Sequence, residues 1–133
     1  MAAQSPVIMI KSFEDLAVWQ MGKNITMETY RLTADFPKEE AFVLIPQIRR
    51  AALSVPANIA EGFGRYHHLD KARFYLNARG SLYELKSHLL IAQELGYFNQ
   101  SQSISGLLTT VDKLGLKLNN LISSSRKLNK QSQ

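Results

Sequence analysis

Four stretches of this chain repeat their apolar residues at spacings of three and four, and none alternates over the length of a strand. That periodicity commits the chain to α-helices, because only a 3.6-residue turn gathers such positions on one face. The fold class is therefore all-α. Four helices with short connections make an antiparallel up-down four-helix bundle the simplest arrangement. A length of 133 residues suits one domain, and 45% hydrophobic residues against 20% charged ones suffice for a single core. The chain divides into an N-terminal extension (1–11), the bundle (12–125) and a flexible basic tail (126–133).

The first helix is expected from a cap at Ser12 to Ala34, with Val18, Met21, Ile25 and Leu32 inward and Asp35-Phe36-Pro37 stopping it. The second should start at Ala41 or Phe42 and reach Phe63. Its inward row is Ile48, Ala52, Val55, Ile59 and Phe63, and Ile45, Leu53 and Ala60 widen this to about half the circumference, more than the ~100° stripe one neighbour needs. Two neighbours are implied. Pro56 lies inside and predicts a kink or a division into two helices, and Gly62 and Gly64 offer a left-handed stop. The third helix is expected from Asp70 as its cap to Leu95, closing at Gly96, with Tyr75, Ala78, Leu82, Leu85, Leu89 and Ala92 inward. Gly80 and Ser81 lie off that stripe, and a mid-helix glycine points either to close approach of another backbone or to simple tolerance. The fourth runs from about Ser101 to Lys127 on Ile104, Leu107, Val111, Leu114, Leu118 and Leu121, with Ser123 to Gln133 expected to fray.

Composition excludes several chemistries. The absence of cysteine removes disulfides, thiolate nucleophiles and zinc-thiolate sites. No apolar run approaches the about 18 residues of a membrane span, and no cation precedes the short apolar patch near the N-terminus, so a cytoplasmic protein is expected. No phosphate-cradling glycine loop, HExxH pair or EF-hand pattern occurs. His67-His68 reads as a solvated turn rather than a metal site, and His88 as a helix-face residue. Glu61 and Glu84 lack a nucleophile or oxyanion hole and are expected to pair with arginines such as Arg50 or Arg73. No enzyme activity, metal or cofactor is expected.

Charge is where the sequence points to a partner. The net +5 is uneven: residues 1–44 sum to −2, 45–90 to +4, 91–112 to −2, and the remainder to +5 without an acid. Such excess favours polyanions through counterion release. Arg49, Arg50, Arg65, Lys71, Arg73, Arg79 and Lys86 fall on the second and third helices and their turn. Arg79, Tyr83 and Lys86 share one line, and Tyr66 sits beside Arg65, so phosphate contacts could be interleaved with stacking rings. The competing reading is a solvated face whose alkyl stems cover apolar surface. Arg49 projects within the apolar arc and is expected to snorkel at an interface. Lys127 and Lys130 add a short basic tail.

The runs QIRRAALSVPANIAEGFGR (Gln47–Arg65) and ARGSLYELKSHLLIAQELGY (Ala78–Tyr97), with the opening SFEDLAVWQ (Ser12–Gln20), resemble the four-helix-bundle family of bacterial 23S ribosomal RNA intervening-sequence proteins over about residues 12–122. The resemblance implies an up-down bundle assembling as a ring-like pentamer. It also implies kinship with accessory proteins of diversity-generating retroelements, which present a basic surface to nucleic acid and to a reverse transcriptase. Arg49, Arg50, Pro56, Asn58, Glu61, Gly62, Gly80, Ser81 and Glu84 match signature positions whose first duty is structural or at an interface. His67 and His68 depart from the basic or serine-rich turn of the pattern, and +5 is a modest charge beside the retroelement relatives. The expectation is a non-enzymatic homo-oligomer that binds RNA or DNA with little sequence readout through Arg50, Arg65, Lys71, Arg73, Arg79 and Lys86. The alternative is an assembly module for a protein partner, with the same arginines in inter-subunit salt bridges.

Overall fold

The computed structural model describes residues 9–99 and 104–132. Four helices follow one another: α1 (Ala17–Thr33), α2 (Leu44–Phe63), α3 (His68–Glu94) and α4 (Ser105–Gln131), with short 3₁₀ turns at Phe13–Asp15 and Lys38–Glu40. Side-chain pairings fix their directions. Gly22 faces Pro56, Thr26 reaches Ala52 and Thr33 reaches Arg49, so α2 runs against α1. Ser54 meets Ser81 and Arg50 meets Glu84, which turns α3 against α2. Arg79 meets Asn119 and Lys86 meets Asp112, which turns α4 against α3. The start of α1 lines a cleft with residues late in α4, which closes an up-down-up-down bundle.

The predicted inward rows form the core. Ile25, Leu32, Ile48, Val55, Ile59, Leu82, Leu85, Leu89, Leu114 and Leu118 are all but sealed from water. α2 packs against both α1 and α3, as its wide apolar arc implies, but Leu53 of that arc is 49% exposed. One end of the bundle is closed by Phe36, whose ring centroid lies 5.4 Å from Tyr97 and 5.2 Å from Phe98.

Several boundaries differ from expectation, each for a local reason. Ser12 does cap, but it caps the 3₁₀ turn in a reciprocal pair with Asp15, and extended Leu16 separates that turn from α1. The second helix begins at Leu44 rather than Ala41 or Phe42, where the Glu40 carboxylate accepts the Leu44 amide at 3.2 Å. α3 begins two residues before Asp70, which occupies its first turn instead of the cap. The expected start at Ser101 lies outside the described residues, and α4 continues to Gln131, so Arg126, Lys127 and Lys130 of the supposed tail are helical. Gly64 closes α2 with an ordinary right-handed backbone, and the one positive φ among the described residues is 77° at Gly96. Gly62 is needed for space: an added Cβ would lie 2.7 Å from Tyr75 Cε1. Gly80 has no neighbour within 4 Å of such a Cβ, so no backbone of this chain approaches it.

Pro56 does not divide α2, which is one helix from Leu44 to Phe63. A proline there cannot donate to the carbonyl of Ala52, four residues back. The structure supplies another donor: the Thr26 hydroxyl, shared between the carbonyls of Gly22 at 2.8 Å and Ala52 at 3.1 Å. The Pro56 ring packs beside Gly22 of α1, where an added Cβ would lie 3.4 Å from its Cβ, an ordinary contact. Thr26→Val should destabilise the fold by about 1–3 kcal/mol, the cost of an unpaired buried carbonyl, and by less in a Pro56→Ala background where residue 56 regains its amide. Urea denaturation of the four proteins measures this, and equal costs in both backgrounds would refute the assignment. Gly62→Ala should lower the denaturation midpoint, whereas Gly80→Ala should raise stability by about 1 kcal/mol, the propensity difference alone.

Candidate nucleic-acid interface

The polar arc of α2 forms a connected line on the molecular surface. Arg50 donates to Gln47 at 2.6 Å, Asn58 donates to the Ser54 carbonyl at 2.8 Å, and Arg65 reaches Glu61 at 3.1 Å. This line continues onto α3 through Ser54–Ser81 at 2.8 Å and Arg50–Glu84 at 3.7 Å, and Glu84 also meets His88 at 3.3 Å. Ser81 and Glu84 thus fasten α3 to α2, while Asn58 holds Ser54 from within α2. The pairing expected between Glu84 and Arg50 is present, while Glu61 takes Arg65 and Arg73 takes Asp70 at 3.6 Å.

The basic residues separate into two groups. Arg49, Lys71 and Arg79 hold helices together. Arg49 donates to the Thr33 hydroxyl at 2.9 Å and to the Tyr30 carbonyl at 3.3 Å, its guanidinium over the Tyr30 ring, as an arginine on an apolar arc must. Lys71 donates to the Phe63 carbonyl at 2.7 Å, satisfying an orphan acceptor at the end of α2, and burial lowers its pKa. Arg79 donates to Asn119 of α4 at 2.8 Å. Lys71 and Arg79 therefore serve the fold at positions where free phosphate-binding cations were expected.

Arg50, Arg65 and Arg73 form the outward group, with side chains 67%, 44% and 60% exposed. Their carboxylate partners are solvent-facing, and such pairs contribute about 0–1 kcal/mol, so a phosphate can replace them at little cost. Lys86 is intermediate, held by Asp112 at 2.7 Å. Tyr66 and Tyr83 both point to solvent. His67 is exposed and His68 half-buried, with His68 Nδ1 shielded from water and unpartnered, so only the first of the pair fits a solvated turn.

Along the bundle the charges segregate. Asp35, Glu39, Glu40 and Glu94 sit at the end where α1 finishes and α4 begins. Arg65, Arg73, Arg126, Lys127 and Lys130 sit at the opposite end beside Glu14, Asp15, Glu61 and Asp70, as Lys38 sits among the acids, so the separation is one of net charge. The α4 cations Lys113, Lys117, Arg126, Lys127 and Lys130 are all exposed and, among the described residues, pair with no carboxylate. Sequence reasoning passed over Lys113, Lys117 and Arg126 because α4 was read for its apolar heptads. The +5 of the last stretch was the signal available.

The family model described as 23S rRNA-intervening sequence protein matches residues 14–120. The chain belongs to that family. The match spans all but the last turns of α4 and agrees with the four-helix architecture. A search among curated proteins returned no match. No helix of the described residues is long and apolar enough to cross a membrane.

The two groups of cations predict different consequences. Lys71→Met should lower stability by about 1 kcal/mol through the lost carbonyl bonds. It should leave the salt dependence of any nucleic-acid binding unchanged, whereas Arg65→Gln and Arg73→Gln should reduce that dependence, each losing about 0.5–1 kcal/mol with its stacking on Phe74. A thermal melt paired with a salt titration separates them.

Proposed function

We propose that this protein is a non-enzymatic, homo-oligomeric helical bundle of the cytoplasm that binds RNA or DNA through its basic surface with little sequence readout. The observation that carries the reading is the lengthwise separation of charge, which leaves one end of the bundle rich in exposed arginine and lysine. Cations so placed neutralise phosphates and release counterions, a contribution that base identity does not affect. Among the residues first considered, Arg50, Arg65 and Arg73 carry the contact, with Lys86 available once Asp112 yields it. The family description, which refers to 23S ribosomal RNA, favours RNA.

Assembly is supported by an apolar patch. The antiparallel register brings the start of α2 and the end of α3 to one end of the bundle, where Phe42 is 94% exposed and Val43, Ile91 and Leu95 are exposed too. Exposed large apolar residues gathered at one end are characteristic of an interface between chains. The ring-like pentamer implied by the family resemblance would repeat each weak basic patch around an axis, so that several act on one polyanion together. The other reading, an assembly module whose arginines bridge subunits, draws on the carboxylates already beside Arg50, Arg65 and Arg73.

Fluorescence anisotropy with a labelled RNA hairpin, from about 50 to about 200 mM salt, should give a linear log–log loss of affinity with a slope of roughly 0.9 per phosphate contact. No retention of RNA or DNA at the lowest salt would remove the nucleic-acid reading and favour the assembly module. Native mass spectrometry should show an oligomer, and a monomer at micromolar concentration would remove that part.

A further inference from the structure

The outer face of α4 is built from three adjoining heptad rows: Lys113–Asn120–Lys127, Lys117–Ser124–Gln131 and Leu116–Ser123–Lys130. Residues seven apart differ by only about 20° on a helix, so each row runs nearly straight. Every one of the nine is exposed. After Asp112, which is engaged by Lys86, α4 carries no acidic residue, and it has no aromatic residue at any point. The cations of this face fall into two groups, Lys113 with Lys117 and Lys127 with Lys130, Arg126 lying outside the three rows. At about 1.5 Å per residue the gap from Lys117 to Lys127 is roughly 15 Å, occupied by the neutral donors Asn120, Ser123 and Ser124.

From this arrangement we infer that the α4 face docks on double-stranded RNA, the two cation groups meeting the phosphate backbones on either side of the minor groove and Asn120, Ser123 and Ser124 meeting the 2′-hydroxyls between them. The inference rests on the nucleic-acid reading above and assigns it to a different element from α2 and α3. Three features favour this partner. Unpaired bases are gripped by stacking, and α4 offers no ring to stack on. A-form duplexes present a wide, shallow minor groove lined by 2′-hydroxyls and flanked by phosphates, which a straight basic–neutral–basic helix face matches. A membrane-seeking basic helix needs a continuous apolar flank, whereas this face presents mainly amides, hydroxyls and lysines with Leu116 among them.

The test uses the full chain with a blunt RNA duplex, the DNA duplex of the same sequence, single-stranded RNA and anionic phospholipid vesicles. Lys113→Gln/Lys117→Gln and, separately, Lys127→Gln/Lys130→Gln should each lower the salt slope for duplex RNA by about two. Asn120→Ala/Ser124→Ala should leave the slope unchanged and reduce the preference for RNA over DNA duplex by roughly tenfold, the effect of about one or two lost hydrogen bonds. All of these positions face water, so circular dichroism should show unchanged melting, and Lys38→Gln serves as a control off the face. If duplex RNA binds but only Arg50, Arg65 or Arg73 substitutions alter the slope, the α4 assignment is wrong while the nucleic-acid reading stands. Equal affinity for both duplexes, or tighter binding to single strands or vesicles, overturns the choice of partner. Failure of the unaltered protein to bind any nucleic acid overturns both.

Discussion

The fold depends on a carbonyl that its own helix cannot satisfy. Pro56 withdraws the amide that Ala52 would use, and in an isolated helix the result is a break. Here the Thr26 hydroxyl crosses from α1 to the Ala52 carbonyl, and the proline ring packs beside Gly22 one turn away. A defect within one helix is thereby met by a side chain of its neighbour, which ties the two helices together at that point. Arg49 reinforces the tie by bonding Thr33 and the Tyr30 carbonyl further along the same seam.

The α2–α3 seam is polar at its rim for a related reason. Ser54, Ser81, Arg50, Glu84 and Asn58 satisfy one another along a line that a purely apolar stripe would leave free to slide. Surface pairs of this kind contribute little stability, and their value lies in selecting one register among several that bury similar area. The outward arginines belong to this rim, so the same side chains can brace the bundle and remain exchangeable for an external anion.

Helix number, order and inward rows were legible in the sequence because amphipathic period depends only on spacing. Ile48, Val55, Ile59, Leu82, Leu89, Leu114 and Leu118 sit where a 3.6-residue count places them. What could not be read was partnership across helices. Pro56 looked like a break because Thr26 lies thirty residues away in the chain, and Lys71 looked like a surface cation because nothing local reveals the α2 carbonyls above it. The distribution of charge was visible, but which cations stay unopposed depends on the antiparallel register that brings Asp112 to Lys86 and leaves Lys113 and Lys117 alone.

The difference in net charge between its two ends gives the molecule an electric dipole along its helices. In the field of a polyanion such a particle feels a torque before it touches anything, and it turns its cationic pole forward while still diffusing. Encounters would then begin end-on, with the acidic pole trailing into solvent, and a rise in ionic strength would weaken that alignment at long range before it loosened any bound contact.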